Sequence, residues 1–138
     1  MTKGYRIFPE HGYVRVSYVG KTRYEVANEM LHELIHICEK TNSKQVLLDL
    51  CDADYGDAYA TSIQHVKDAP AMGYDTSYRV AILGAEEDSG MLQYIEDVAV
   101  NRGFQVRAFV DEFEALEWLR GPATRSGRAV SARRPAGG

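Results

Sequence analysis

Hydrophobic and polar positions near the start of this chain follow the two-residue period of β-strands. Residues 5–8 and 13–19 are rich in β-branched and aromatic side chains, which favour strands. Pro9 ends the first segment, and His11 with Gly12 is typical of a turn. The pattern therefore predicts two antiparallel strands joined by a short connection.

Three later segments are short and apolar with little alternation, at residues 45–50, 79–84 and 105–110. Strands of this kind are typically buried on both faces of a sheet. We therefore predict a sheet of about five strands, with other elements covering both faces of these three.

A long helical pattern lies between the hairpin and the third strand and ends at Asn42-Ser43. At about 100° per residue, acidic and imidazole side chains fall on one side of this helix. Its apolar side chains fall on a continuous stripe on the other side: Tyr24, Ala27, Leu31, Leu34, Ile35 and Cys38. We expect the stripe to pack on the sheet, and His32 and His36 to face away from it.

Three further helices complete the pattern. One is predicted for residues 57–69, one begins near residues 86–89 and ends at 101–103, and a short one follows Asp111 as its cap. The resulting order β-β-α-β-α-β-α-β-α predicts a single α/β domain with a mixed sheet, about four helices and right-handed crossovers.

Charge divides the chain into two parts. All 20 acidic residues lie within residues 1–120, together with 12 of the 16 basic ones. Residues 121–138 contain four arginines, no acid and little that could form a core. We predict an α/β domain over 1–120 and a flexible basic tail over 121–138.

Composition narrows the class of protein. The 138 residues are 45% hydrophobic, which fits one globular domain. No apolar segment approaches the ~20 residues of a membrane span, and the polar start is unlike a secretory signal. Two cysteines make no disulfide framework, so we expect a cytoplasmic protein. An acidic domain repels phosphate backbones, so we do not expect nucleic acid as a partner.

The string His32-Glu33-Leu34-Ile35-His36 matches H-E-x-x-H, in which two histidines one helical turn apart hold zinc and the glutamate activates water. The extended form of that motif needs glycine and histidine where this chain has Glu39 and Asn42. We predict a solvated helix face and no metal, and we retain a zinc metallohydrolase using His32, His36 and Glu33 as base as an alternative.

A loop rich in aspartate follows the third strand. It contains Asp49, Asp52, Asp54 and Asp57 at the strand end where α/β folds usually place ligand sites. Carboxylates can bind Mg²⁺ or Ca²⁺, but the spacing fails the calcium-loop pattern. These acids equally cap helices and solubilise turns, so we predict no cofactor.

Hydroxyl and phenol groups surround this loop. Thr61 and Ser62 are the candidate phosphorylation sites in the helix after it. Tyrosines bury area at interfaces while keeping a polar tip, so they suit either a binding surface or the core. The sequence leaves both interpretations open for Tyr55, Tyr59, Tyr74 and Tyr78.

The chain resembles the STAS superfamily, specifically its SpoIIAA-like branch. The resemblance covers residues 5–119 and includes the Val-Gly-Lys-Thr turn at 19–22, the strands at 46–50 and 79–84, and the segment 106–119 with its Ala-Leu-x-Trp-Leu close. It implies a small non-enzymatic domain that antagonises anti-sigma factors by docking onto a kinase partner. The family's switch serine has no counterpart in residues 49–57. The fold is also similar to that of CRAL-TRIO lipid-binding domains.

We therefore predict a non-enzymatic cytoplasmic regulatory module of bacterial type that binds a protein partner. By resemblance, that partner is a regulatory kinase or an anti-sigma-like factor, and the module itself could form homo-oligomers. A domain for a small apolar ligand such as a lipid is the other alternative. The predicted partner-binding surface consists of Asp52, Asp54, Tyr55, Asp57, Tyr59 and Thr61.

Overall fold

A mixed sheet forms the centre of the computed structural model, which describes residues 4–21, 23–55, 64 and 67–121. Its strand order is β1-β2-β4-β6-β7, with a separate two-stranded pairing of β3 and β5. The strands are β1 (Tyr5–Pro9), β2 (Val14–Tyr18), β3 (Gly20–Lys21), β4 (Gln45–Asp49), β5 (Ala53–Asp54), β6 (Arg79–Leu83) and β7 (Gln105–Phe109).

Three α-helices lie within the described residues: α1 (Tyr24–Thr41), α2 (Ser89–Val100) and α3 (Glu112–Arg120). Two 3₁₀ turns occur at Ala69–Met72 and Glu86–Asp88. The hairpin is confirmed, because β1 and β2 pair antiparallel with Ile7 opposite Val16. The other main pairings, β2 with β4, β4 with β6 and β6 with β7, are parallel.

The helices cover the sheet on both faces, as the apolar strands predicted. Successive residues of a strand point to opposite faces. Val46 and Ile82 therefore belong to the larger core cluster, with α1 and α2. Leu47 and Ala81 belong to the smaller cluster on the other face, with Ala115 and Leu119 of α3.

Helix α1 uses the apolar stripe that its period predicted, except that Tyr24 in its first turn is only partly buried. Ala27, Leu31, Leu34, Ile35 and Cys38 are buried, and Met30 joins them. The helix ends where Asn42 adopts a left-handed backbone conformation (φ 57°), a position that Asn tolerates better than most residues.

Helix α2 packs closely on the end of β6. Leu92 is almost fully buried, and it lies against Gly84. A Cβ atom at Gly84 would lie 2.8 and 2.9 Å from the two methyl carbons of Leu92. Gly84 is therefore required here for close approach of helix and strand.

Strand β7 lies at one border of the sheet. The backbone N–H of Ala108 donates a 2.7 Å hydrogen bond to Oε1 of Glu96 on α2. The Glu96 side chain of α2 thus accepts a hydrogen bond from a backbone N–H of the border strand.

The predicted α/β class, its five main strands and the Asp111 cap of α3 are confirmed. The short strands β3 and β5 were not predicted. The predicted helix at 57–69 falls largely outside the described residues, and so does the predicted tail beyond Gly121. No helix within the described part of the chain has the length and apolar character needed to cross a membrane.

Candidate functional site

The carboxyl ends of three parallel strands meet at one edge of the sheet, which we call the carboxyl edge. Two backbone hydrogen bonds join their loops: Leu50 N–H donates to the carbonyl of Leu83 (2.7 Å), and Gly84 N–H donates to that of Phe109 (3.1 Å). The loops after β4, β6 and β7 are therefore neighbours, which is the usual site of binding in α/β sheets.

An arginine from β2 fixes two of these loops. Arg15 donates to Oδ2 of Asp49 (3.1 Å) and to both carboxylate oxygens of Glu112 (3.0 and 3.3 Å). The hydrogen bond to Glu112 is the main cause that raises the pKa of the Arg15 guanidinium, and Asp49 adds to it. Arg15 therefore links the start of α3 to the end of β4.

The loop after β4 is ordered by its own side chains. Asp49 Oδ1 accepts a hydrogen bond from the N–H of Cys51 (3.0 Å), and the Tyr55 hydroxyl donates to the carbonyl of Leu50 (3.4 Å). Burial, followed by the charge of Asp88, raises the pKa of Tyr55 to about 12. The phenol is therefore neutral at physiological pH and acts as a hydrogen-bond donor.

Two predicted site residues project from this ordered loop. Asp52 and Asp54 are exposed, and the pairing of β3 with β5 places Lys21 opposite Asp54. The carbonyl of Asp52 accepts a hydrogen bond from Gly20 N–H (3.1 Å). The backbone is held at both residues, and both residues are exposed.

The thiol of Cys51 lies among the same carboxylates. Burial is the main cause that raises the pKa of Cys51 to about 11, and the hydrogen bond and charge of Asp49 are the next largest causes. At neutral pH this exposed cysteine is a thiol, which is a poor nucleophile.

Sequence reasoning missed two apolar residues at this edge. Val110, just after β7, is 50% exposed, and Phe113, in the first turn of α3, is 68% exposed. The signal was available, because Phe113 lies off the buried stripe formed by Ala115 and Leu119. Both side chains are accessible to a partner that approaches this edge.

The remaining predicted site residues, Asp57, Tyr59, Thr61 and Ser62, lie outside the described residues. Tyr74 and Tyr78 are core residues. Both are buried, their rings lie 5.0 Å apart, and Tyr74 also packs on Phe104.

The two histidines of the H-E-x-x-H string lie on the outer side of α1. His32 and His36 are exposed, and Glu33 accepts a 2.8 Å hydrogen bond from the Tyr5 hydroxyl. Within residues 4–21, 23–55, 64 and 67–121, no group of three His, Cys, Asp or Glu side chains is arranged to hold a metal ion.

An apolar cavity of about 110 Å³ lies between the sheet and the helices on the α1 face. Thirteen residues line it, among them Leu34, Ile82, Ile95, Ala99 and Phe104. An engineered apolar cavity of roughly 150 Å³ stays dry and binds benzene. This cavity is thus suited to a small apolar group.

The strand order, the hairpin and the two helical layers form a SpoIIAA-like fold. An uncharacterized protein of the DUF3478 family from Shewanella loihica PV-4 has a SpoIIAA-like fold and is similar to this chain, with 21% sequence identity and a TM-score of 0.54. The match covers 84% of this chain and 93% of that one. An anti-sigma factor antagonist from Mycobacterium paratuberculosis is 12% identical, with a TM-score of 0.51. That match covers 88% of this chain and 98% of that one. No family model and no curated protein matches the sequence.

Proposed function

We propose that this domain is a non-enzymatic regulatory module that binds a protein partner at its carboxyl edge. The observation that carries the proposal is the exposed pair Val110 and Phe113 beside a loop that Arg15 and Asp49 hold in place. A rigid loop loses little conformational entropy on binding, so more of the contact energy remains as affinity.

The chemistry of this edge favours a partner that is basic and carries an apolar anchor. Phe113 offers a large apolar contact, and exposed acids lie in its own turn and in the loop after β4: Asp111, Glu112 and Glu114, with Asp52 and Asp54. Opposite charge on the partner would accelerate association and fix its orientation. The likeness in fold to an anti-sigma factor antagonist supports an anti-sigma-like factor or regulatory kinase as the cytoplasmic partner.

A pair of matched variants tests this proposal. We expect Val110→Ser with Phe113→Ser to weaken the affinity for a captured partner at least tenfold, since buried apolar anchors dominate binding energy. Both side chains are exposed, so the unfolding temperature should stay within a few degrees. Affinity is measured by calorimetric titration with the partner recovered by affinity purification.

The control is Phe8→Ser with Val100→Ser, which removes two exposed apolar side chains (39% and 49% exposed) from other elements. Its affinity should equal that of the unmodified chain. Equal affinities for both double variants would place the partner elsewhere and reject the carboxyl edge.

We propose binding of a small apolar ligand as a second candidate function, because the cavity beneath α1 is lined by apolar side chains. Native mass spectrometry should then show either retained cargo or added benzene on the intact chain. Ala99→Leu adds three carbons at the cavity wall and should abolish the bound species. A bare mass for the unmodified chain in benzene-saturated buffer would exclude this function.

A further inference from the structure

Arg79, the first residue of β6, is a buried cation without a counter-ion in the described part of the chain. It is 6% exposed, and its guanidinium carbon lies 4.1 Å from the centre of the Trp118 ring. One Nη donates to the Trp118 carbonyl, but Nε has no hydrogen-bond partner. Burial lowers its pKa, and no described carboxylate raises it.

Such a group needs an explanation, because burying an unpaired charge is costly. Stacking on the indole and capping the end of α3 offset part of that cost. Neither interaction supplies the two oxygen atoms that a guanidinium usually engages.

Arg79 lines an open groove of about 490 Å³ at the amino end of the sheet, away from the carboxyl edge. Lys44 lies in the same groove, half exposed, with Nζ 2.8 Å from Ser77 Oγ and 3.6 Å from Asp75 Oδ2. The lining also includes Glu10, Thr41, Ser43 and Gln45.

Helices α1 and α3 both end at this groove, and free carbonyl oxygens at those ends would repel an anion. Three of these carbonyls already accept hydrogen bonds. Gln45 Nε2 donates to the Leu119 carbonyl and Arg79 to that of Trp118, while Ser43 N–H donates to the Cys38 carbonyl (2.9 Å). The groove therefore presents an ammonium, a guanidinium, hydroxyls and an amide as donors, beside one carboxylate, that of Glu10.

We propose that this groove binds a small oxyanion, a phosphate or carboxylate group, between Lys44 and Arg79. Arginine with lysine is the usual combination for such groups, since one supplies a planar fork and the other a mobile point charge. The site is independent of the carboxyl edge, so it does not rest on the function proposed there.

Titration of the ¹⁵N-labelled chain with inorganic phosphate, at ionic strength held constant with KCl, tests the site. We expect saturable shifts of the amides of residues 41–45 and 77–79. Lys44→Gln should weaken binding at least tenfold, and Lys21→Gln, the same change on distant β3, should leave it unchanged.

Arg79→Met keeps an unbranched side chain against Trp118 and removes the charge, so it should also abolish binding. If Arg79→Met fails to fold, the comparison of Lys44→Gln with Lys21→Gln decides whether the groove binds phosphate. Parallel titrations with phenyl phosphate and acetate identify whether the ligand is a phosphoryl or a carboxylate group. Shifts that stay linear to tens of millimolar, or that Lys44→Gln does not change, would show that Arg79 only caps α3.

Discussion

Gly84→Ala should destabilise the domain by about 1–3 kcal/mol, the usual cost of overpacking a core. The added methyl would lie under 3.0 Å from the two terminal carbons of Leu92, which is almost fully buried and has little room to move. The free energy of unfolding from urea denaturation measures the effect.

The same contact predicts that the effects of Gly84→Ala and Leu92→Ala on the free energy of unfolding are not additive. Leu92→Ala alone should cost about 2–5 kcal/mol, because it leaves a cavity. In that background the extra methyl of Gly84→Ala meets no clash and fills part of the space, so it should cost nothing further.

Gly90 is the matched control, because nothing lies within 4 Å of a Cβ there. Gly90→Ala, in the first turn of α2, should be neutral or stabilise the helix by up to about 1 kcal/mol. Equal losses from Gly84→Ala with and without Leu92 would contradict the packing of α2 on β6.

Cys51 should react with iodoacetamide about tenfold more slowly in the native chain than in the unfolded chain at pH 7.5. The rise of its pKa from the ordinary value of 9.0 to about 11 leaves roughly 100-fold less thiolate. The more basic thiolate is about tenfold more nucleophilic, which offsets part of that difference. The rate should rise with pH until about 11, since only deprotonation limits it.

Peptide mapping distinguishes Cys51 from buried Cys38. Asp49→Asn removes a neighbouring charge, so it should lower the pKa of Cys51 and accelerate its alkylation at neutral pH. Asp97→Asn, on the exposed side of distant α2, should have no effect. A native rate at pH 7.5 equal to the unfolded rate would contradict the described surroundings of Cys51.

The fold was largely predictable because its signals are local. The period of α1 identified Leu31, Leu34 and Cys38 as core residues from spacing alone. The cap at Asp111 depends only on the two following N–H groups, of Phe113 and Glu114.

The site was less predictable because its contacts join distant parts of the sequence. Arg15 and Glu112 are 97 positions apart, and no local pattern pairs them. Arg79 resembled an ordinary polar residue at a strand start, and its burial depends on Trp118, which is supplied by a different element. The spacing of α3 placed Phe113 off the buried stripe, but only the structure shows that it lies at the same edge of the sheet as the loop after β4.

The hydrogen bond from Ala108 to Glu96 has a consequence for self-association. A border strand with free donors is a template on which another chain can add, and this is a common route to fibrils. Here an incoming chain would have to displace a charge-assisted bond from α2 and leave the Glu96 carboxylate unpaired. Addition of another strand at this position of β7 is thereby disfavoured.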